Sequence, residues 1–256
     1  SKFVRLQFTP DLLPADITGT KIYDHNSGSF KTIKGPIFSN FILADEINRA
    51  PPKVQSALLE AMQEKQVSIQ GETYQLEKPF FVMATQNPIE SEGTYKLPEA
   101  QVDRFMFKLL ISYPDKEQES EIIHRFTEGI THKATKILSI ADILNIQDFV
   151  LKIYCDEKIR NYITEIVDAT RHPNNYGLSL TDKIEFGASP RASIWLTIGA
   201  KANAILHGRG YVIPNDVQDV CYEILRHRIL LTYEAESENI TSDDMIKKIL
   251  DKITIP

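Results

Sequence analysis

The sequence predicts an α/β core followed by an all-α domain. Short, continuous apolar runs in the first half are typical of strands that are buried on both faces of a sheet. After residue 140, apolar residues recur at helical spacing and strand signals fade. The change in pattern lies near residues 115–140. We therefore expect a core at 1–114, a connecting helix and linker at 115–139, and a helical domain at 140–256.

The core is expected to contain four strands, two hairpins and one long helix. Alternating or continuous apolar residues indicate strands at 3–8, 41–44, 80–84 and 105–111. Turn residues between strand-like segments predict hairpins near residues 20–34 and 67–78. Apolar residues at helical spacing indicate the helix, at 54–66.

The rest of the chain is predicted to be a succession of helices. They are expected at 117–126, 142–154, 157–171, 190–206, 215–231 and 243–253. In the fourth of these helices, Ser189 suits the N-cap and Pro190 suits the first helical position. The apolar stripe of that helix is expected to be Ile194, Trp195, Ile198, Ala202, Ile205 and Leu206.

Two adjacent carboxylates, Asp45 and Glu46, follow the expected strand at 41–44. Ligands of open parallel sheets bind at the carboxyl ends of the strands. Asp45 can hold Mg²⁺, directly or through water, because hard cations take oxygen ligands. Glu46 can polarise a water molecule for attack on a γ-phosphate. The alternative is a solvated strand end that simply leads into a helix.

Uncharged polar residues follow the next expected strand of the core, at 80–84. Among them, Asn87 can orient an attacking water by hydrogen bonds without changing the charge of the site. If the two strands are neighbours, Asn87 and Glu46 lie on one edge of the sheet. The alternative is a simple turn, since Asn87 and Pro88 form a common turn pair.

Two arginines are candidates for phosphate contacts, because a guanidinium is always charged and its fork fits phosphate oxygens. Arg104 precedes the expected strand at 105–111, and arginine fingers often come from a neighbouring subunit. The alternative for Arg104 is a surface salt bridge with Asp103 or Glu99. Arg191 would lie in the first turn of its helix, where a cation opposes the helix dipole unless an anion such as phosphate is close. The alternative for Arg191 is a pair with a carboxylate of the core.

Composition and charge exclude several classes of protein. The net charge of −6 argues against a general nucleic-acid binder. The apolar runs are too short to span a bilayer, and the first residues lack a signal-peptide layout, so we expect a cytoplasmic protein. Cys155 and Cys221 are the only cysteines, and no Cys-x-x-Cys pair exists. We expect two reduced thiols rather than a zinc or redox site.

Several sequence strings together resemble the MoxR family of AAA+ ATPases. Examples are Leu-Ala-Asp-Glu-Ile-Asn-Arg-Ala-Pro at 43–51 and Leu-Pro-Glu-Ala-Gln-Val-Asp-Arg-Phe at 97–105. The other matching strings are those at 8–19, 35–38, 84–88, 92–95, 188–192 and 207–212. They occur in the family's order over nearly the whole chain. The resemblance implies an AAA+ P-loop NTPase core with a parallel sheet, N-terminally truncated here, followed by an all-α lid.

The resemblance also implies a role for each candidate residue. Asp45 and Glu46 would be the Walker B pair, and Asn87 would be the first sensor. Arg104 would be the arginine finger and Arg191 the second sensor, with ATP and Mg²⁺ as ligands. The two hairpins would be the inserts of the helix-2-insert branch, which commonly face a central pore or a partner.

The family also implies partners. Its members typically form ring hexamers, often work with proteins that carry a von Willebrand factor A domain, and are associated with client remodelling or metal insertion. One motif departs from the pattern: no Gly-x-x-x-x-Gly-Lys-Ser/Thr occurs in these 256 residues. Because the later motifs are intact, we expect a phosphate-binding segment upstream of residue 1 rather than a degenerate relative.

Two other functions stay open. One is a nucleotide-independent interaction scaffold, which the missing phosphate loop supports. The other is a ring motor that acts on nucleic acid, against which the acidic balance argues.

Overall fold

The structure is a computed structural model that describes residues 1–87, 93–129 and 134–256. Pro88 and Glu92, which belong to two of the matching strings, lie outside the described residues, as does part of the expected linker. The described strands are β1 (Phe3–Gln7), β2 (Gly19–Asp24), β3 (Ser29–Lys34), β4 (Phe41–Asp45), β5 (Gln66–Ile69), β6 (Glu72–Gln75), β7 (Phe81–Ala84), β8 (Ile184–Phe186) and β9 (Leu230–Leu231).

Each long helix that the structure describes agrees closely with an expected one, except at one end, and three short helices were not expected. They are α1 (Pro14–Thr18), α2 (Pro52–Glu64), α3 (Glu99–Val102), α4 (Lys116–Thr127), α5 (Ile140–Lys152), α6 (Glu157–Arg171), α7 (Pro190–Leu206), α8 (Pro214–Leu225), α9 (Tyr233–Ser237) and α10 (Ser242–Lys252). The helix expected at 215–231 ends at Leu225. Among the described residues, none of these helices has the length and apolar character needed to cross a bilayer.

A three-stranded parallel sheet lies at the centre of the core. β4 is the middle strand, with β1 on one side and β7 on the other. Ile42 and Ala44 of β4 are buried, as expected for an apolar central strand. Because the three strands are parallel, their carboxyl ends meet at one edge of the sheet. The strands before Glu46 and Asn87 are neighbours, which is the condition for the two residues to lie at one edge of the sheet.

The prediction of a strand at 105–111 is wrong. Phe105 packs against the core, but Ile111 is 94% exposed, and the segment pairs with no strand in the described part of the chain. Side chains of the helical domain donate hydrogen bonds to carbonyl oxygens of this segment instead. Arg228 Nη2 donates to Phe105 O at 2.6 Å, and Arg226 Nη1 donates to Lys108 O at 2.9 Å. A strand pattern alone cannot reveal such side-chain competition for backbone groups.

Both expected hairpins are confirmed. β2 pairs antiparallel with β3, and β5 pairs antiparallel with β6. The hairpins also contact each other: Lys21 Nζ lies 2.7 Å from Glu72 Oε1, and the hydroxyls of Thr32 and Tyr74 are 2.9 Å apart. The β2–β3 and β5–β6 hairpins therefore form one unit.

The second half of the chain is mainly helical, with its own apolar core. The expectation of an entirely α-helical domain needs one correction, because β8 and β9 form a small antiparallel pair. Leu230 and Leu231 were assigned to the end of a helix, but they pair with Phe186 and Ile184. Apolar spacing did not distinguish this short strand from the preceding helical turn.

The expected apolar stripe of α7 is wrong in part. Ile194 is 57% exposed and Leu206 is 84% exposed. The buried residues of α7 are instead Ala192, Leu196, Gly199, Ala200 and Ala204. Small residues let α8 approach closely: a Cβ added at Gly199 would lie 3.2 Å from Ile224 Cδ1. The buried face is therefore set by packing against side chains of α8, which apolar spacing within α7 does not specify.

Candidate functional site

Asp45 is the last residue of β4, and it is held by side chains of both neighbouring strand segments. Thr85 Oγ1, just after β7, donates to Asp45 Oδ1 at 2.5 Å. Arg5 Nε, on β1, donates to Asp45 Oδ2 at 3.0 Å, and the two side chains form an ion pair. The Thr85 hydrogen bond and the Arg5 contacts outweigh burial and lower the pKa of Asp45. The carboxylate is therefore ionised and is a suitable oxygen ligand for a hard cation.

Glu46 begins the turn that follows β4. Its φ of 54° lies in the left-handed region, which is uncommon for a residue with a side chain. The turn is fixed by Thr85, because Glu46 N donates to Thr85 Oγ1 at 2.9 Å and Ile47 N donates to Thr85 O at 3.0 Å. Gln7 Nε2 donates to Glu46 Oε2 at 2.6 Å, and Arg49 Nη1 donates to the same oxygen at 3.1 Å.

Asn87 follows β7 by three residues, so it comes after the strand end that already contacts Asp45 and Glu46 through Thr85. The structure thus brings the expected strand ends together at one edge of the sheet. This edge carries two carboxylates and a threonine hydroxyl, and Asn87 follows three residues after the end of β7. Such a set can hold a hard cation and direct a water molecule by hydrogen bonds.

Arg104 lies two residues after the short helix α3. Its Nη1 donates to Leu59 O of α2 at 3.2 Å. The guanidinium is partly buried, and it lies against the helix that follows the two carboxylates in sequence.

Arg191 is in the first turn of α7, as expected. Ser189 is the N-cap and accepts a hydrogen bond from Arg191 N, with Pro190 at the first helical position. The Arg191 guanidinium pairs with Asp103, so the alternative of a pair with a carboxylate of the core describes this contact. The anion expected near this helix N-terminus is present, and it is a side chain of the chain itself.

The Asp103 carboxylate contacts three side chains of the helical domain. Besides Arg191, Ser189 Oγ donates to its Oδ2 at 3.0 Å and Arg228 Nε donates to its Oδ1 at 2.8 Å. Burial alone would raise the pKa of Asp103. The hydrogen bond from Ser189 and the charges of Arg228 and Arg191 outweigh burial and lower that pKa. Asp103 is therefore an ionised link between the segment that carries Arg104 and the helical domain.

The contacts of the candidate residues fall into two groups. Asp45 and Glu46 share Thr85, whereas Arg191 contacts Asp103, the neighbour of Arg104 in sequence. Sequence analysis missed Arg5, Gln7 and Thr85, which contact the two carboxylates. Arg5 and Gln7 are two residues apart on β1, so strand alternation puts them on one face. That spacing was a usable signal, but only the pairing of Gln7 with Asp45 brings this face to the site.

Metal binding here would depend on few protein ligands. Within residues 1–87, 93–129 and 134–256, no group of three or more His, Cys, Asp or Glu side chains could hold an ion. Mg²⁺ is usually bound by one or two carboxylates together with water and substrate phosphates. Asp45, ionised and at the end of the central strand, fits this mode of binding.

Comparison with known proteins gives a consistent result. Residues 1–107 match the ATPase family associated with various cellular activities (AAA), and residues 180–249 match the AAA lid domain. The chaperone MoxR1 of Mycobacterium tuberculosis is 49% identical over 256 residues, which are 99% of this chain and 67% of that protein. The uncharacterized protein YeaC of Bacillus subtilis is 44% identical over 261 residues, covering 99% of this chain and 77% of YeaC.

A solved structure is also similar over the whole chain. The crystal structure of a proposed ATPase from Cytophaga hutchinsonii is 53% identical in sequence and has a TM-score of 0.93. The similarity covers 100% of this chain and 78% of that one.

Proposed function

The chain belongs to the MoxR family of AAA+ ATPases, and we propose that it hydrolyses ATP at the edge of the sheet that carries Asp45 and Glu46. The observation that carries the proposal is the pair of carboxylates at the end of the central strand, held by both neighbouring strand segments. Ligands of open parallel sheets bind at this end of the strands.

In this proposal, Asp45 binds Mg²⁺ directly or through water. The ion would supply positive charge that stabilises the charge developing on the phosphate oxygens of ATP. Thr85 and Arg5 keep the Asp45 carboxylate ionised and oriented.

Glu46 accepts a proton from the attacking water, and Asn87 orients that water. Gln7 and Arg49 hold Glu46 Oε2 in the arrangement described here, so Glu46 exchanges at least one of these partners when it acts as a base.

Arg104 and Arg191 would each contact phosphate groups of ATP. Arg191 contacts the γ-phosphate of ATP, and Arg104 reaches the ATP of the neighbouring subunit. This arrangement requires a ring, and we propose a hexamer. Residues 1–114 would form the ATPase core, residues 115–139 the connection, and residues 140–256 the lid.

We further propose a chaperone-like role in the cytoplasm, in which ATP turnover remodels a protein client or assists metal insertion. A protein with a von Willebrand factor A domain would be a partner. Support comes from the similarity to a protein named as a chaperone and from the β2–β3 hairpin, where Tyr23 and Phe30 are exposed. Exposed aromatic side chains on a hairpin suit contact with a protein.

The replacement Glu46→Gln in the full-length protein tests this function. It keeps the shape of the side chain but removes the base, so ATP hydrolysis should fall at least about 100-fold while ATP binding persists. Glu60→Gln on the exposed face of α2 is the matched control and should hydrolyse ATP at the normal rate. Normal turnover in Glu46→Gln would remove Glu46 from catalysis, and a wild-type protein without any turnover would refute the proposed function.

A further inference from the structure

The Asp103 carboxylate has partners of two different kinds. The Arg228 side chain is only 1% exposed, and its Nη1 and Nη2 also donate to backbone carbonyl oxygens, including Met106 O at 3.2 Å and Asp103 O at 2.9 Å. Arg228 is therefore a fixed part of the boundary between core and helical domain. The Arg191 side chain is 38% exposed and reaches Asp103 from the first turn of α7.

Arg191 can leave Asp103 without leaving a buried carboxylate unpaired. Ser189 and Arg228 would still bind both carboxylate oxygens, through contacts of 2.8 to 3.2 Å. Loss of a partly exposed ion pair costs little, whereas loss of the only partner of a buried charge costs much more. The Asp103–Arg191 pair is thus the exchangeable contact of this cluster.

We propose that Asp103 is a positioning residue that competes with the γ-phosphate of ATP for Arg191, and so weakens ATP binding relative to ADP. The inference rests on the proposed function, in which Arg191 contacts ATP. A single guanidinium cannot offer the same N–H groups to a carboxylate and to a phosphate. ADP lacks the γ-phosphate, so its binding leaves the Asp103–Arg191 pair in place.

The sequence position of Asp103 gives the competition a second consequence. Asp103 precedes Arg104, whose guanidinium lies against Leu59 O. Exchange of Arg191 from carboxylate to phosphate leaves Asp103 ionised but takes away one of the two guanidinium groups beside it. In this proposal, the nucleotide that Arg191 contacts therefore changes the electrostatic surroundings of Arg104, the next residue in the sequence.

A double-mutant cycle tests the proposal in the full-length protein. Dissociation constants for ADP and for the non-hydrolysable β,γ-imido analogue of ATP are measured with Mg²⁺ for wild type, Asp103→Asn, Arg191→Gln and the double variant. The fluorescence of Trp195 is a direct reporter, because it is the only tryptophan and lies one helical turn after Arg191 on α7. Calorimetry gives the constants independently.

The expected result is a specific gain of affinity. Asp103→Asn should bind the ATP analogue about three to ten times more tightly than wild type, with ADP affinity unchanged. The same replacement should have no effect when residue 191 is Gln. A merely structural role of Asp103 would change both nucleotides alike, and its effect would persist in the Arg191→Gln background.

Two further variants keep the test decisive. Asp243→Asn breaks another ion pair of the helical domain, with Arg226, and should leave both affinities unchanged. If Asp103→Asn fails to fold because Arg228 loses its counter-charge, the variant that combines Asp103→Asn with Arg228→Gln removes both charges together. It should show the same specific gain.

The outcomes separate this inference from the proposed function. If wild type binds the ATP analogue and Asp103→Asn leaves the affinity unchanged or weakens it, the inference is wrong while the function stands. If neither wild type nor any Asp103 variant binds a nucleotide, the proposed function fails and the inference fails with it. Binding that appears only after Asp103→Asn supports the inference.

Discussion

Thr85 connects the two acidic residues of the candidate site. Its hydroxyl donates to Asp45 at 2.5 Å and accepts from Glu46 N at 2.9 Å, so a single oxygen orients one side chain and one backbone turn. Its own backbone oxygen accepts from Ile47 N at 3.0 Å. A residue that makes three such contacts fixes the geometry of both carboxylates at once.

Thr85→Val should therefore reduce ATP hydrolysis about 10-fold or more, because Asp45 and Glu46 N each lose a partner while the side-chain volume is kept. Thr85→Ser restores the hydroxyl and should recover most of the activity. Steady-state turnover as a function of Mg²⁺ concentration is the measurement, and Thr85→Val should need more Mg²⁺. Equal turnover in the Val and Ser variants would show that the hydroxyl is not used.

His227 gives the fold a dependence on pH. Burial lowers its pKa from 6.5 to about 4, and its Nε2 donates to Phe105 O at 3.1 Å. Between these two pKa values the unfolded chain binds a proton that the folded chain does not. The free energy of unfolding therefore falls as the pH drops through this window.

His227→Gln should remove this part of the pH dependence, because glutamine can still donate to the carbonyl but does not titrate. By pH 4.5 the wild type should lose about 2 to 3 kcal/mol more than the variant, each relative to its own stability at pH 7.5. Denaturant unfolding at a series of pH values measures this difference. Parallel stability curves for the two proteins would show that His227 is not responsible.

Among elements, the base of the β2–β3 hairpin depends on two glycines. A Cβ at Gly35 would lie 2.2 Å from Ile17 O and 2.6 Å from Gly19 N. Gly19 itself has a φ of 99°, which favours glycine. The chain therefore enters and leaves the hairpin through a crossing in which the backbones approach too closely for a side chain.

Gly35→Ala should destabilise the protein by about 2 kcal/mol or more, because backbone atoms cannot yield as a flexible side chain can. Gly210→Ala is the control, since a Cβ there would meet nothing within 4 Å. Thermal unfolding should show a clearly lower Tm for Gly35→Ala only. Equal Tm values for the two variants would contradict the close crossing.

The sequence predicted most elements, and its errors share one physical origin. The three strands of the sheet and both hairpins follow from local patterns of apolar and turn residues, whereas the order of the strands does not. The strand expected at 105–111 and the buried face of α7 depend instead on contacts with distant segments. Arg228 donates to the carbonyl oxygen of Phe105, and side chains of α8 pack against Gly199. Local periodicity contains no information about such partners.

The same distinction holds within the candidate site. Asp45, Glu46 and Asn87 could be selected from strand ends and motifs, although their catalytic roles are still predictions. The sequence could not predict that Arg5 and Gln7 contact the carboxylates, because only the register of β1 beside β4 brings them there. Arg191 was predicted to lie near an anion, but the sequence could not single out Asp103 from the other carboxylates of the core.

In the ring that we propose, two neighbouring subunits each contribute residues to one ATP site. Glu46 would serve the ATP of its own subunit, and Arg104 would serve the neighbour's ATP. Rings made only of Glu46→Gln subunits or only of Arg104→Ala subunits should then be inactive. In a mixed ring, some interfaces combine the intact Glu46 of an Arg104→Ala subunit with the intact Arg104 of a Glu46→Gln subunit.

The most direct measurement is the rate of ATP hydrolysis when Glu46→Gln and Arg104→Ala proteins are mixed at a series of ratios under conditions that exchange subunits. Formation of mixed rings is checked by native mass spectrometry, and each variant alone should hydrolyse ATP at about 1% of the wild-type rate or less. The rate of ATP hydrolysis should rise to a maximum near equal proportions of the two variants. At that maximum it should be several times the rate of either variant alone. Mixed rings that show no gain at any ratio would contradict this prediction.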